Sequence, residues 1–348
     1  MHKPIVFAVL LLLFIVAPVT AQTPPATTSE VGDNPLTGLP VIEPDVLTRR
    51  PIIVKISNAP PLVRPQAGLN RADHVWEHYA EGGLTRFSAV FYGDAPDRVG
   101  SVRSARLIDY ELMPMYQGIL AFSGASTGVE TLLNVSDVAD RLYKGVLFGL
   151  PYFWRDDIIE VPHNMFMNPN ALWDLAAEDG ISAPLELRTE IATLIFGDYG
   201  GDTAAASRAD IAYRATRVTW VYEVQIARYR RISDGIGHFD ANTLDPVTAA
   251  NVVVLFARHR ETDIIESGSG INASRSIEIE LWFEGDAMLL RDGVMIAARW
   301  ARPTRESNMI FTDATGNPLP FKRGNTWFQV MPLREDFDPA EESFTVTL

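Results

Sequence analysis

From Asp198 to Asp210 the chain reads DYGGDTAAASRAD, a stretch with no aliphatic side chain larger than alanine, and the texture of the sequence changes across it. Such a segment has little to bury and predicts a linker or a long surface loop. Upstream, strand-like and helix-like runs are mixed. PIIVKIS is β-branched. HVWEHYAEGGLTRFSAVFYG predicts two strands joined around Gly82-Gly83, with Phe87, Ala89 and Phe91 alternating against Arg86, Ser88 and Val90. ARLIDYELMPMY carries Leu107, Ile108, Leu112 and Met115 at helical spacing, with Ser104 placed to cap its start. GILAF predicts a strand, followed by the glycine-rich SGASTG and the amphipathic VETLLNVSDVADRLY. In NPNALWDLAAEDG, Asn168 predicts an N-cap, Pro169 sits in the first turn where its missing N–H costs nothing, and Gly180 predicts the stop.

Downstream, RVTWVYEVQIARYRRI, NVVVLFARH, SIEIELWFEG, AMLLRDG, VMIAARW, NMIFTD and TWFQVM are short β-rich runs. Turn signals separate them at Ser233-Asp234-Gly235, Glu284-Gly285-Asp286 and Arg291-Asp292-Gly293. The expected fold class is therefore α+β. A mixed α/β domain is expected over residues 35–197, a linker over 198–210 and a mostly antiparallel β domain over 211–348. Trp220, Tyr222, Trp282, Trp300 and Trp327 are expected in the core of the second domain. Residues 22–34, QTPPATTSEVGDN, predict a flexible tether.

The opening MHKPIVFAVLLLLFIVAPVTA has a lone Lys3, an apolar run from Ile5 to Ala17 and small residues ending at Ala21, the pattern of a secretory signal peptide cleaved after Ala21. Its apolar core is shorter than the ~20 residues that span a bilayer, and no later stretch reaches that length. The expected product is secreted or extracytoplasmic, without a membrane span. The chain contains no cysteine, which excludes disulfides, thiol catalysis, thiolate zinc sites and a lipid-bearing N-terminal cysteine. Formal net charge is -14, and loss of residues 1–21 removes Lys3 and no acid, leaving -15. A surface of that sign repels phosphate backbones and anionic lipid. Nucleic acid is not an expected partner, and an anionic ligand has to be met by a local group of arginines.

Such a group stands in the first domain. Glu77 and Glu81 flank the end of the first strand of the glycine-linked pair, and Arg86 opens the second. Arg103, Arg106 and Asp109 follow, three residues apart, so a helix through 103–109 puts all three on one face. His163 and Asn164 stand in a loop before the Asn168-capped helix. A guanidinium fork grips a carboxylate or phosphate in two places, and a helix N-terminus adds partial positive charge. The same residues could instead pair with one another and brace the fold. Gly124-Ala125-Ser126-Thr127-Gly128 fits the G-x-S-x-G pattern of a nucleophile elbow between a strand and a helix, which makes Ser126 a candidate nucleophile with His163 or Glu81 as acid–base. His74 and His78 lack a carboxylate pair to complete a ligand set, so no metal and no cofactor is expected.

The runs RPQAGLNRADHVWEHYAEGGLTRFSAVFYG, GSVRSAR and VPHN resemble the N-terminal domain of the YerB-like family of exported bacterial proteins and lipoproteins of unknown function. GHFDANTLDPVTAANVVVLFARH and RPTRESNMIFTDATGNPLPFKRGNTWFQVMP resemble that family's C-terminal domain. The resemblance spans about Pro35 to Pro332. It singles out Arg64, Gln66, Asp73, Glu77, Glu81, Thr85, Arg86, Arg103, Ser104, Arg106, Ser126, His163 and Asn164 among the polar residues. Ser101 stands where family members tend to carry proline, and the missing cysteine departs from the lipoprotein members.

Three functions are therefore expected to compete. The first is binding of an anionic ligand, a small molecule or cell-envelope component, through Glu77, Arg86, Arg103, Arg106, Asp109 and Asn164. The second is a hydrolase or transferase using His163, Glu81 and Ser126 in the same pocket. The third is a scaffold that recruits a protein partner through the β domain.

Overall fold

The structure, a computed structural model, describes residues 32–41, 44–181 and 194–347. The signal peptide expected over 1–21 and nearly all of the tether expected over 22–34 lie outside the described residues. The first half contributes strands β1 (Ile52–Ser57), β2 (His74–Tyr79) and β3 (Thr85–Phe91), helix α1 (Leu107–Tyr116), strand β4 (Ile119–Phe122), helix α2 (Thr127–Asn134), strand β5 (Leu142–Lys144) and helix α3 (Pro169–Glu178). The second contributes β6 (Arg208–Tyr213), β7 (Thr216–Glu223), β8 (Arg228–Ser233), β9 (Asn251–Phe256), β10 (His259–Ser267), β11 (Ser274–Ile279), β12 (Phe283–Arg291), β13 (Val294–Arg302), β14 (Ile310–Asp313), β15 (Thr326–Met331) and β16 (Ser343–Thr347). The fold is α+β, with a mixed sheet in the first half and mostly antiparallel pairing in the second.

An eleven-stranded sheet runs through both halves in the order β14-β13-β12-β9-β15-β2-β3-β1-β4-β5, with Ala204–Ala205 added as a short strand on β13. The halves meet in parallel, His74 to Glu77 of β2 against Thr326 to Gln329 of β15. A second, antiparallel sheet of β8, β7, β6 and β16 covers one face. The segment 198–210 thus changes the sequence texture without interrupting the main sheet, and β6 begins inside it at Arg208.

Every residue of β1, β2, β3, β9 and β15 is buried. Alternation sends Val54, Ile56, Phe87, Ala89, Val254 and Trp327 toward the second sheet, and Ile53, Val90, Leu255 and Phe328 toward α1, where Ile108 and Leu112 meet them. Trp220, Trp300 and Trp327 are core residues, whereas Tyr222 and Trp282 are half-buried.

The β2–β3 turn uses Gly82 and Gly83 at φ 71° and 73°. A Cβ on Gly83 would also lie 2.7 Å from the Cβ of Arg214, so the turn needs glycine both for its backbone and for its approach to the second half. The Asn168 cap is as expected: its side chain accepts from the Asn170 and Ala171 N–H groups, with Pro169 opening the helix.

Helix α1 departs from expectation. Ser104 does not cap it. Its N-cap is Arg106, in extended conformation, whose N–H donates to Asp109 Oδ2 at 2.7 Å. The preceding residues are held straight by neighbouring strands, with Arg103 N–H bonded to Lys55 O at 2.8 Å and Ala105 N–H to Gly124 O at 2.9 Å. Arg103, Arg106 and Asp109 therefore share no helical face. The Glu284-Gly285-Asp286 turn signal is also overturned, since all three lie inside β12 opposite Arg299 to Ala301. Gly285 stands there because a Cβ would come within 2.5 Å of Trp300 Nε1.

Two small sheets complete the scaffold. Val99–Gly100, Met165–Met167 and Phe153–Arg155 form one, which carries the loop bearing His163. The β10–β11 hairpin lies across the helices of the first half. Ile264 packs where a Cβ on Gly128 would come within 2.6 Å, and Glu266 reaches to 3.5 Å from Arg106.

Candidate functional site

The extended backbone of residues 103–106 aims two guanidinium groups in different directions. Arg106 turns into the protein. Its Nε donates to Glu81 Oε2 at 2.7 Å, its Nη2 meets Glu81 Oε1, and its Nη1 donates to Ala105 O at 2.7 Å. Arg86 reaches the same carboxylate from β3, with Nη2 on Glu81 Oε1 at 3.0 Å and Nη1 on Ser104 O at 2.7 Å. Burial pushes the Glu81 carboxyl up, but the Arg106 hydrogen bond and the charges of Arg86 and Arg106 outweigh it and hold the group at about 2. Glu81 is thus a fixed anion. Burial, helped by the neighbouring Arg106, lowers Arg86 to about 9, which leaves it charged at neutral pH.

Arg103 points the other way, into a cavity of about 350 Å³ between the halves. Its walls include Arg64, Glu81, Arg86, Arg103 and His163 from the first half, and Ala215, Thr216 and Asp234 from the second. Arg103 Nη1 donates to Pro162 O at 3.3 Å, and its Nε is shielded from solvent with no hydrogen-bond partner among the described residues. His163 is anchored by its backbone, N–H to Glu160 O at 2.8 Å, while its Nδ1 is likewise shielded and has no partner among the described residues. Burial and then the charge of Arg103 push the imidazole below its ordinary range, which keeps it neutral at physiological pH. Arg64 closes the far wall. It bonds Asp234 at 2.6 Å and Asn58 O at 2.9 Å.

The structure therefore gathers Glu81, Arg86, Arg103 and His163 around one open hollow and seats Arg106 directly behind Glu81. The other expected site residues lie elsewhere. Glu77 is fully buried and accepts from Arg231, Trp327, Gln329, Thr85 and Asn58, so its oxygens are occupied within the protein. Asp109 is fully buried on Lys55 at 2.9 Å. Asn164 accepts from Arg155 at 2.7 Å and donates to Asp156 O at 3.0 Å, shaping the loop rather than facing the cavity. Ser126 precedes α2 at φ -63°, without the strained backbone of an elbow, its Oγ bonds no histidine, and it is not among the cavity's lining residues. Among the described residues, no three His, Asp or Glu side chains gather so as to hold a metal ion.

Lys55, Asp234 and Arg231 were not legible as parts of this region. Lys55 left one signal, a lone charge in the β-branched run PIIVKIS. Asp234 read only as a turn residue, which it also is, at φ 50°.

The chain's relatives share this architecture without supplying a chemistry. Residues 36–182 match the family model "Protein of unknown function (DUF3048) N-terminal domain", and residues 209–328 match the corresponding C-terminal domain. The protein named "Putative lipoprotein YerB" of Bacillus subtilis (strain 168) is 33% identical over 314 residues, covering 89% of this chain and 88% of that one. The crystal structure of YerB from Bacillus subtilis superposes with a TM-score of 0.72 at 28% identity, covering 90% of this chain and 99% of that one. No helix among the described residues is long and apolar enough to cross a membrane. With both domain models matched in order and a relative aligned over most of its length, the chain belongs to the DUF3048 family.

Proposed function

We propose that this is an extracytoplasmic protein that binds a small carboxylate- or phosphate-bearing ligand in the cavity lined by Arg64, Arg86, Arg103 and His163. The observation that carries the reading is Arg103. Most guanidinium groups of the region are spent on carboxylates or backbone oxygens, but Arg103 has a shielded Nε without a partner and no carboxylate within ion-pair distance among the described residues. Three arginines line the hollow against the two carboxylates of Glu81 and Asp234, so it carries a local positive excess within a chain of net charge -14. An entering oxyanion would meet a cation held in place by its backbone and by Pro162, and a neutral imidazole ready to donate. The leader-like N-terminal sequence and the name of the Bacillus relative support an extracytoplasmic location.

Isothermal titration with inorganic phosphate and with acetate tests this. Arg103→Gln is expected to weaken binding roughly tenfold or more, the worth of a charge-assisted hydrogen bond. The melting temperature should stay close to the parent value, because among the described residues the side chain holds only one long hydrogen bond. Equal affinity in parent and variant, or no binding of either anion, would overturn the reading.

A further inference from the structure

We propose that the ligand of this cavity is an amphiphile, whose anionic head is held by Arg103 and His163 and whose apolar chain lies in the groove next to them. This rests on the anion-site reading above and adds a second, independent observation. The segment 145–163, GVLFGLPYFWRDDIIEVPH, exposes large aliphatic side chains to an unusual degree: Leu147 is 75% exposed, Leu150 78%, Ile158 95% and Val161 62%. Leu150 among them lines a groove of about 340 Å³ whose other walls include Val146, Phe148, Phe153, Trp154 and Met165. That volume falls at the lower end of small-molecule sites.

The groove and the cavity are distinct spaces whose walls are neighbours along the chain, Met165 in one and His163 in the other. Arg155 and Met165, paired across the small sheet, both line the groove. Met165 O accepts from Val102 N–H at 2.7 Å, directly before Arg103, and Arg103 itself bonds Pro162 O. His163 is two residues from Met165, a separation of at most roughly 7 Å along the backbone. A chain lying in the groove would thus have the cationic hollow within about two residues' reach of its Met165 wall. The acidic net charge argues for a single bound amphiphile over an anionic bilayer, because the surface as a whole repels negative lipid and only the arginine cluster attracts it.

The test uses three probes on the intact protein: inorganic phosphate, dodecyl phosphate below its micelle concentration, and uncharged dodecyl maltoside. Burial of only three methylenes corresponds to a gain on the order of fiftyfold, so dodecyl phosphate should bind at least that much more tightly than phosphate. Leu150→Ser, at an exposed position that leaves folding intact, should remove much of this gain and leave phosphate affinity unchanged. Arg103→Gln should weaken phosphate and dodecyl phosphate alike. If phosphate binds but dodecyl phosphate binds no more tightly, the amphiphile is overturned while the anion site stands. If maltoside binds as tightly as dodecyl phosphate and neither depends on Arg103, the head-group assignment fails. Light scattering provides the last arm: a parent dimer that Leu150→Ser converts to monomer would show the apolar face to be a contact between copies, and would also overturn the proposal.

Discussion

Glu77 Oε2 lies 2.8 Å from Arg231 Nη2, and neither side chain is exposed to solvent. The pair joins β2 of the first half to β8 of the second, 154 residues apart. Trp327 and Gln329 of β15 donate to the same carboxylate at 3.2 and 3.0 Å. A buried ion pair of this kind gives little net stability over an apolar replacement, but removing one partner strands the other charge. Glu77→Ala is therefore expected to cost about 3–5 kcal/mol in urea denaturation. Because the main sheet crosses between the halves, tryptophan fluorescence and far-UV circular dichroism should report a single coincident transition. A loss below about 1 kcal/mol, or two separate transitions, would show the halves to be stabilised independently.

A second buried pair lies on the other face of the sheet. Lys55 Nζ donates to Asp109 Oδ1, to Ser88 Oγ and to His78 Nε2 at 2.9, 2.9 and 2.8 Å. The His78 tautomer follows, with Nδ1–H donating to Tyr79 O at 2.9 Å. Burial lowers Lys55 to about 8, against the pull of Asp109. Lys55→Met and Asp109→Asn should each destabilise by about 3–5 kcal/mol, and the double variant by clearly less than the sum, with a coupling of about 1–3 kcal/mol. Additive losses would mean that the two charges do not compensate one another.

Stability should also fall as the solution is acidified. Besides His163, burial depresses four imidazoles: His74 and His259 to about 4, and His78 and His238 well below their ordinary range, the last two also repelled by Lys55 and by Arg231. The unfolded chain binds protons at these sites near the ordinary value of about 6.5, whereas the folded chain does not. Their contribution is therefore present above that value and lost as pH falls toward 4. Asp73 acts in the opposite sense, since burial raises its carboxyl to about 7 despite donation from Tyr92, Gly93 and Asn34, so its contribution is lost as pH rises toward 7. Four groups outweigh one. Urea midpoints should be lower at pH 5 than at pH 7.5 with unchanged slope, and a flat or inverted profile would show that the imidazoles are hydrated in the folded protein.

Features set by neighbouring residues were legible in the sequence. The glycine-linked β2–β3 hairpin and the Asn168–Pro169 helix start depend on backbone requirements met within a few residues. Features set by distant partners were not. Nothing near Ser104 reveals that Lys55 and Gly124 hold residues 103–105 extended, so the three-residue spacing of Arg103, Arg106 and Asp109 was mistaken for a helical face. Gly285 read as a turn because its reason, the Trp300 indole, lies on the adjacent strand. Glu81, Arg86, Arg103 and His163 group by residue type in the sequence, and in the structure they line one cavity. The depth of Glu77 and Asp109 was not legible, because Glu77 is buried at the parallel β2–β15 junction and Asp109 against Lys55 of β1 and Ser88 of β3.

Glu81 offers the sharpest separation between a ligand site and a brace. Its carboxylate is the internal counter-ion of Arg86 and Arg106, at 3.0 Å from the first and closer still to the second, and it borders the cavity that Arg103 enters. A bound anion competes with that negative charge. Glu81→Gln preserves the shape and removes the charge, so phosphate affinity should rise, by roughly three- to tenfold for a partly screened unit charge at this range. Stability should fall at the same time, by about 1–3 kcal/mol, because Arg86 loses its carboxylate and Arg106 keeps only the more distant Glu266. Titration calorimetry and urea denaturation of the same preparation read both quantities. A variant that loses stability without gaining affinity would assign Glu81 and its arginines to the fold alone.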